Sequence, residues 1–418
     1  MTSLQQVLAL QARTFEPGAK CPLDGIRVLD LSRLVAGNML SLALADFGAE
    51  VLKVEDPKKG DPLRDWRESG PEHQDGVSAY WKVYARNKKS LTLNLRSDAG
   101  KDILKRLIVD ADVFVESFRV GTMERMGFGP DELLRLNPAL VVVRVSGWGQ
   151  TGPYADHPGF GSLVEAMSGY AAKNGFPGQP PMLPNLALAD MVAGLYGAFA
   201  TMVAIHEVKV NRGRGQVVDL SLLEPLLSIL GPDAATYRIT GEVPAKTGNR
   251  TSISAPRNIY RTRDGGWVAL SASIQSMVER LFGAIGRPDL IDDPRFRTNF
   301  DRRNNVEALD SLIQEFISKQ TLHESVEFFR AREVTIGPVY DISQIVLDPH
   351  IVERGVLVEV PDNDIGSVPM HDVVPRLSGT PGHLRFPAPQ LGQHNDEVLA
   401  RIGIEAEARV ALKRDGVI

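Results

Sequence analysis

Apolar β-branched runs alternate with helical patterns through the first third of the chain. The alternation predicts strands over 26–31, 50–55, 90–95, 113–116 and 140–146, with helices over 38–46, 99–110 and 131–136. Strands that are apolar on both faces, separated by helices of this length, are typical of a parallel sheet covered on two sides. The pattern therefore predicts an α/β protein with a Rossmann-like large domain.

The first strand-to-helix turn, residues 32–37, reads SRLVAG and contains a single glycine. A dinucleotide-binding turn needs several glycines, because the backbone must approach a pyrophosphate closely. The turn therefore argues against NAD or FAD at this position.

A stretch rich in glycine and proline, residues 147–184, interrupts the alternation and predicts loops. A helix is predicted after it over 190–206, followed by a strand over 217–220. Ser221 and Glu224 have the spacing of a capping box, which predicts the start of another helix.

The second half of the chain has a different character. Residues 260–262 and 267–271 flank the turn sequence DGG, which predicts a hairpin, and helices are predicted over 274–286, 305–317 and 322–331. We therefore expect a large domain over 1–225, a small α+β domain over 235–340, and a segment over 341–418 that returns to the large domain.

Composition and charge narrow the function classes. The 418 residues are 43% hydrophobic and 24% charged, and the formal net charge is −5. This balance is that of an ordinary globular protein and favours neither nucleic acid nor an anionic membrane as a partner. Cys21 is the one cysteine, so the chain has no internal disulfide, and we expect a reducing, cytoplasmic location. The apolar run over 186–205 contains Asp190 and several glycines, which predicts a buried helix rather than a membrane span.

Several motifs keep their order and spacing from about residue 22 to 400. They are PLDGIRVLDLSRLVAG (22–37), FGAEVLKVEDP (47–57), GDPLR (60–64), RNKKSLTLNLRS (86–97), ADVFVESFRVGTMERMGFG (111–129), GWGQTGPY (147–154), LALADMVAGLYG (186–197), GRGQVVDLSLLE (213–224), IGPVYD (336–341) and LGQHNDEVL (391–399). With these motifs the chain resembles the class III (CaiB/BaiF) coenzyme A transferases, which include formyl-CoA and carnitine CoA transferases.

The resemblance implies that Asp190, in the motif LALAD, is a covalent nucleophile that carries coenzyme A as an aspartyl-CoA thioester. Local sequence alone favours a different role, because an aspartate before an apolar helical run is a common N-cap. A helix N-terminus would also favour the ionised carboxylate that attacks a thioester. The resemblance further implies an interlocked homodimer, with acyl-CoA and a small carboxylic acid as substrates and with neither a permanently bound cofactor nor a metal.

The coenzyme A contacts of the family fall on eight residues of this chain. They are Leu93, Asn94, Leu95, Arg96, Ser117, Phe118, Arg119 and Arg125. Three arginines in such positions suit the phosphates of coenzyme A, although exposed arginines near strand ends are often merely solvated.

Departures from the formyl-CoA transferase pattern bear on the substrate. Val35 stands where that subgroup has glutamine, and Phe160-Gly161 replaces an aromatic–acid pair. The same pair argues against alpha-methylacyl-CoA racemases, which need histidine and aspartate there, because Phe160 cannot transfer a proton. A racemase-like isomerase, and a coenzyme A-binding subunit without its own activity, stay as alternatives.

Two segments resemble family members that act on succinyl-CoA and small dicarboxylic acids, namely residues 159–176 and 254–273. Arg250 or Arg257 is then a candidate to hold the distal carboxylate of the substrate, since a guanidinium matches a carboxylate in a fork.

Overall fold

The computed structural model of the chain describes residues 10–70 and 73–418, which form two compact units. Unit 1 contains the described residues up to Gly169, together with Pro184–Gly231 and Pro349–Ile418. Unit 2 contains Tyr170–Leu183 and Pro232–Asp348. The predicted domain bounds differ from these units at 170–183 and 341–348, and the division into domains stays a prediction.

The strands, in chain order, are β1 Gln11–Ala12, β2 Arg27–Asp30, β3 Glu50–Glu55, β4 Glu68–Gly70, β5 His73–Val77, β6 Lys88–Thr92, β7 Val113–Glu116, β8 Val141–Ser146, β9 Val217–Ser221, β10 Arg257–Arg261, β11 Trp267–Ser271, β12 Ile336–Pro338, β13 Leu357–Asp362 and β14 Gly366–His371. The helices are α1 Ala36–Ala45, α2 Ala79–Tyr84, α3 Asp98–Val109, α4 Thr122–Arg125, α5 Pro130–Leu136, α6 Gly161–Met167, α7 Tyr170–Lys173, α8 Leu188–Lys209, α9 Leu223–Ile229, α10 Asp233–Thr240, α11 Gln275–Ala284, α12 Asn299–Asn304, α13 Val306–Ile317, α14 Leu322–Arg330, α15 Ile342–Ile345, α16 Pro349–Arg354, α17 Asn395–Arg401 and α18 Ala406–Arg414.

A six-stranded parallel sheet forms the centre of unit 1, in the order β6-β3-β2-β7-β8-β9. Numbered along the chain, this order is 3-2-1-4-5-6, the order of a doubly wound Rossmann sheet. The prediction of a parallel α/β sheet is confirmed. The direction of winding reverses between β2 and β7, and ligands of such sheets bind beyond the carboxyl ends of the strands at that point.

The sheet is buried on both faces because alternate strand residues enter two different cores. Val113 and Val115 of β7 pack in the core that includes Leu40 of α1 and Ala193 of α8. Phe114, between them, packs in the other core with helices α3 and α17. The continuous apolar runs of the sequence follow from this two-sided burial.

Helices α1 and α8 cross at very short range, and two glycines of α8 permit it. A Cβ on Gly194 would lie 2.6 Å from the Cβ of Met39 and 2.8 Å from the carbonyl oxygen of Ala36. A Cβ on Gly197 would lie 2.5 Å from Leu40. The crossing brings the N-terminal end of α1 against the first turn of α8, which carries Asp190.

Unit 1 also holds two smaller sheets. Strand β1 pairs parallel with β13, which pairs antiparallel with β14, and β4 pairs with β5 as a short hairpin. The three-stranded sheet uses segments from both ends of the described chain, since β1 contains Gln11 and β13 contains Val358.

Unit 2 is built on an antiparallel sheet in the order β10-β11-β12. The predicted hairpin is confirmed, with Tyr260 opposite Val268, and the three predicted helices are present as α11, α13 and α14. Their apolar faces bury a core of their own around Leu281 and Ile313.

Two local predictions are wrong. The stretch over 147–184 is not only loop, because it contains helices α6 and α7. The strand predicted over 90–95 is β6, which spans Lys88–Thr92 and ends before Leu93. Buried Lys88 belongs to the strand although lysine is usually exposed, and this shift leaves Leu93–Arg96 beyond the end of the strand.

Helix α8 is long and apolar enough to cross a membrane by length and composition, and 44% of its most apolar window is buried. Its small residues pack against α1, which fits the prediction of a packed helix. Its other face exposes Leu195, Phe199 and Val203.

Candidate active site

A cleft of about 520 Å³ lies at the carboxyl ends of β2, β3, β6 and β7. Each wall follows directly after a strand: Leu31–Arg33 after β2, residues 56–62 after β3, Leu93–Arg96 after β6, and Phe118 after β7. The cleft therefore occupies the topological switch point of the sheet, where this fold class binds its ligands.

The cleft brings together five of the eight residues to which the resemblance assigned coenzyme A binding. Leu93, Asn94, Leu95, Arg96 and Phe118 line it. The other three, Ser117, Arg119 and Arg125, are not in its lining.

These three residues lie close to the cleft wall. The hydroxyl of Ser117 accepts a hydrogen bond of 2.9 Å from the amide of Arg33, which joins the loops after β2 and β7. Arg119 and Arg125 are exposed, and Arg125 donates to the hydroxyl of Thr122, which lines the cleft.

Three basic residues of the cleft were not predicted: Arg33, Lys58 and Lys59. The guanidinium of Arg33 lies 5.2 Å from the centre of the Phe118 ring, a cation–π contact that spans the switch point. The signal for these residues was present in the sequence, because each follows the end of a parallel strand.

Acidic residues in the lining cancel only part of this positive charge. Glu55 forms an ion pair of 2.7 Å with Arg64, and Asp61 forms one of 2.9 Å with Lys53. The Asp56 carboxylate accepts hydrogen bonds from the amides of Lys58 and Lys59. The cleft therefore suits an anionic ligand such as a diphosphate.

The buried carboxylate of Asp61 stabilises the turn between β2 and α1. This carboxylate accepts hydrogen bonds from the amide of Leu34 at 2.9 Å and from the side chain of Asn38 at 2.8 Å. Leu34 has a φ of 63°, a left-handed conformation that leucine rarely adopts. Asp61 thus fixes a turn that the leucine alone would disfavour.

Two buried lysines, Lys53 and Lys88, both lie near the carboxylate of Asp30 under this turn. Burial opposes the charged form of Lys53, but Asp30 and Asp61 outweigh it and raise the pKa of this amine above its usual range. Burial lowers the pKa of Lys88 to about 7. The charge of Asp30, 3.8 Å from the amine, opposes this shift without outweighing it, and the amine otherwise donates to the neutral oxygens of Asn38.

Asp190 lies in the first turn of α8, three residues after the N-cap position, which Ala187 occupies. The local interpretation of Asp190 as the N-cap is therefore wrong. Its place in the first turn still exposes the carboxylate to the positive end of the helix. A backbone hydrogen bond from Ala36, the first residue of α1, also reaches it.

Helix α6 lies directly against Asp190. A Cβ on Gly161 would be 2.3 Å from Oδ2 of Asp190, so any larger residue at this position would displace the carboxylate. One turn later on the same helix, Glu165 is 2% exposed, and its Oε1 accepts a hydrogen bond of 3.1 Å from the amide of Ala189. Two carboxyl groups thus lie beside Gly161, and sequence reasoning singled out only one of them.

The surroundings raise the pKa of Asp190 to about 6. Burial is the main cause and the charge of Glu165 the second, while backbone hydrogen bonds from Ala36 and Asp190 itself oppose them. The helix N-terminus favours the ionised carboxylate, but removal from water outweighs that effect here. At neutral pH the carboxylate form still prevails.

Val35 and Phe160 have different environments. Val35 is buried, immediately before α1, and packs in a small core that also contacts Ala187 and Met191. Phe160 immediately precedes α6 and its ring is 63% exposed. Val35 thus belongs to the scaffold around Asp190, whereas Phe160 presents an apolar surface to solvent.

The two candidate arginines for a distal carboxylate lie in unit 2. The guanidinium of Arg250 donates to Asp310 at 2.7 Å, and this carboxylate also accepts hydrogen bonds from Asn258 and Tyr260. Arg257 is exposed and lines a cleft of about 460 Å³ beside β10 and β11. Of the two, Arg257 has the guanidinium that is open to a ligand.

Across residues 10–70 and 73–418, no group of three or more histidine, cysteine, aspartate or glutamate side chains could hold a metal ion.

Comparison with known proteins extends this description. The family model described as CoA-transferase family III matches residues 23–395. The chain is 42% identical to succinyl-CoA–D-citramalate CoA-transferase of Chloroflexus aurantiacus, over 90% of this chain and 93% of that protein. It is 36% identical to the alpha subunit of succinyl-CoA–L-malate CoA-transferase of the same organism, over 95% and 92%.

Among solved structures, a CaiB/BaiF family protein from Brucella suis superposes with a TM-score of 0.81 and 29% identity. The match covers 92% of this chain and 100% of that chain. Similarity thus extends over both units and is not confined to the motifs around the cleft.

Proposed function

Because the chain belongs to CoA-transferase family III and is a coenzyme A transferase, we propose that it moves coenzyme A from succinyl-CoA to a small dicarboxylic acid through Asp190. The relatives named above use succinyl-CoA as donor and citramalate or malate as acceptor. At 42% identity over most of both chains, the same donor and a related four- or five-carbon acceptor are the first substrates to test.

The observation that carries the proposal is the environment of Asp190. Its carboxylate lies between the first turns of two helices and is removed from bulk water. Gly161 leaves space for it because glycine has no side chain. A partly desolvated carboxylate with a pKa near 6 is more basic, and hence more nucleophilic, than an exposed aspartate. It is also still ionised at neutral pH.

The proposed reaction begins when an Asp190 oxygen attacks the thioester carbon of the donor. The carbon–sulfur bond breaks, and the products are a mixed anhydride and the coenzyme A thiolate. The thiolate then attacks the aspartyl carbonyl of the anhydride, which forms the aspartyl-CoA thioester and releases succinate. An acceptor carboxylate repeats these steps in reverse, so one thioester is exchanged for another and no external energy source is required.

The cleft at the switch point is the proposed site for the nucleotide part of coenzyme A. Arg33, Lys58, Lys59 and Arg96 supply positive charge for its phosphates, and Leu93 and Phe118 supply apolar surface. The turn before α1 connects this cleft to the nucleophile, because Arg33 lines the cleft and Ala36 contacts Asp190. The thiol arm of coenzyme A would follow this turn from the cleft to the carboxylate of Asp190.

Arg257 is the proposed partner for the distal carboxylate of the acceptor. Arg250 is a weaker candidate, because its guanidinium is already paired with Asp310. The Arg257→Ala variant is expected to raise KM for the dicarboxylate. An unchanged KM would exclude Arg257 from this role.

A homodimer is also proposed, and the exposed face of α8 supports it. Leu195, Phe199 and Val203 recur at intervals of four residues on α8, and Leu163 and Met167 are exposed on neighbouring α6. An apolar surface of this kind is characteristic of a protein interface. Sedimentation equilibrium is expected to give twice the chain mass, and a monomer at micromolar concentration would contradict the proposal.

The central experiment incubates the protein with succinyl-CoA and a panel of acids that includes citramalate, malate, mesaconate and glutarate. Formation of the new acyl-CoA identifies the acceptor, and hydroxylamine is expected to convert the intermediate to a hydroxamate at Asp190, detectable by peptide mass. Asp190→Ala should abolish both. Full transfer by Asp190→Ala would overturn the mechanism, and exchange of an α-hydrogen with deuterated solvent without an acceptor would indicate a racemase.

A further inference from the structure

The proposed mechanism does not use Glu165, although this residue lies beside the proposed nucleophile. We infer that Glu165 is a positioning residue whose negative charge disfavours the free carboxylate of Asp190 relative to its neutral acylated forms. This inference rests on the proposed function of Asp190.

The geometry places the two carboxyl groups in one small site. Gly161 and Glu165 lie one helical turn apart on α6, and so face the same side. From the position of a Cβ on Gly161, Oδ2 of Asp190 would be 2.3 Å away and Oε1 of Glu165 3.8 Å away. The two oxygens are therefore at most about 6 Å apart, within the range at which like charges disfavour each other.

Glu165 is fixed in this position. Its side chain is buried, and Oε1 accepts the amide hydrogen of Ala189, the residue before Asp190. In the described parts of the chain, the charged group that faces Asp190 is Glu165 from α6, while α1 and α8 contribute backbone amides. The repulsion is thus built into the resting site, and it contributes to the raised pKa of Asp190.

Acylation relieves the repulsion. When Asp190 forms the anhydride, its negative charge passes to the coenzyme A thiolate; when the thiolate attacks, the charge leaves with succinate. Asp190 is neutral in the anhydride and in the thioester, so the unfavourable interaction with Glu165 exists only in the free enzyme. Glu165 therefore shifts the equilibrium toward the loaded enzyme.

Glu165→Gln removes the negative charge but keeps the structure, because the amide oxygen of glutamine can still accept the hydrogen bond from the amide of Ala189. We expect the acid limb of kcat/KM to move down by about one pH unit, and the equilibrium constant for aspartyl-CoA formation to fall about tenfold. The adduct is measured by intact-protein mass spectrometry at a fixed ratio of succinyl-CoA to succinate. Glu132→Gln is the control. It removes a charge from a partly exposed residue of α5 and should behave as wild type.

Glu165→Asp tests the same point in a second variant, because it keeps the charge. It should retain an acid limb closer to wild type than that of Glu165→Gln. Equal adduct levels and equal acid limbs in wild type and Glu165→Gln would overturn the inference. Absence of any adduct at Asp190 in the wild-type protein would instead overturn the proposed function.

Discussion

The amide of Leu34 donates a hydrogen bond of 2.9 Å to the buried carboxylate of Asp61, and Leu34 has a left-handed backbone. A non-glycine residue in this region costs about 1–3 kcal/mol and persists only where its surroundings enforce it. The turn that the bond stabilises leads from the cleft to Ala36, which contacts Asp190. Asp61 therefore stabilises the turn that leads to the proposed nucleophile.

Replacement of Asp61 by asparagine is expected to lower the free energy of unfolding by about 1–3 kcal/mol, because Lys53 loses its 2.9 Å partner inside the protein and keeps only Asp30 at 3.3 Å. Urea unfolding measures the loss. Asp65→Asn, a neighbouring exposed carboxylate, is the control and should change stability by less than about 0.5 kcal/mol. A variant at position 61 as stable as wild type would show that the Asp61 carboxylate does not stabilise the turn.

Gly161→Ala is expected to reduce kcat by about 100-fold, since the added methyl group would displace the carboxylate of Asp190. Gly283→Ala is the matched control. Gly283 is an exposed residue of α11, and a Cβ there would meet nothing within 4 Å. Alanine at this position should therefore stabilise the helix by up to about 1 kcal/mol. The test is the steady-state kcat of both variants. A Gly161→Ala variant with wild-type kcat would show that position 161 does not approach the Asp190 carboxylate closely.

Asp190→Asn is expected to stabilise the folded protein at neutral pH. The pKa of Asp190 is about 6 in the folded state, against an ordinary value of 3.8. Because the folded state binds this proton more tightly, the wild type loses stability as pH rises from about 4 to 6, and the loss persists above 6. It amounts to on the order of 2–3 kcal/mol.

Urea unfolding of wild type and Asp190→Asn at pH 7.5 and pH 4 tests this sign. The variant should be the more stable at pH 7.5, and the difference should shrink toward pH 4. Two proteins with the same stability at both pH values would contradict the raised pKa.

Arg96→Ala is expected to raise KM for succinyl-CoA about tenfold and to change kcat little, because a charge-assisted contact to phosphate is worth about 1.5–3 kcal/mol. Arg135→Ala removes an arginine from exposed α5, where it pairs with Glu132, and should leave KM unchanged. If both variants bind the substrate equally well, the cleft at the switch point is not the nucleotide site.

Hydrophobic patterning predicted most of the architecture. The strands β3 and β7 have the bounds expected from their apolar runs, because burial on both faces leaves a continuous signal. The predicted start of a helix after Ser221 is confirmed as α9, and the amide of Glu224 donates to the Ser221 hydroxyl as expected. The reciprocal bond differs from a capping box, because the Ser221 hydroxyl and not its amide donates to the Glu224 carboxylate. These features depend on neighbours in sequence, and local rules describe them well.

The features that shape the site depend on residues far apart in the chain. Nothing local predicts a left-handed Leu34, because its cause is a carboxylate 27 positions later. Glu165 resembles any acidic residue of an amphipathic helix until α6 is placed against Asp190. The N-cap interpretation of Asp190 was wrong because α8 begins earlier, at Leu188, through packing that the sequence pattern does not show.

Gly37, the one glycine of the sequence SRLVAG, is the second residue of α1 and packs on Ser32 of the preceding turn, where a Cβ would be 2.1 Å from the serine side chain. It serves the contact between turn and helix and offers no amide cradle for a diphosphate. Phosphates in the cleft would be held by flexible cationic side chains, whose attraction is weakened by dissolved ions. Occupancy of such an enzyme by its coenzyme A substrates would then fall with rising ionic strength, while the chemistry at the sheltered aspartate would not.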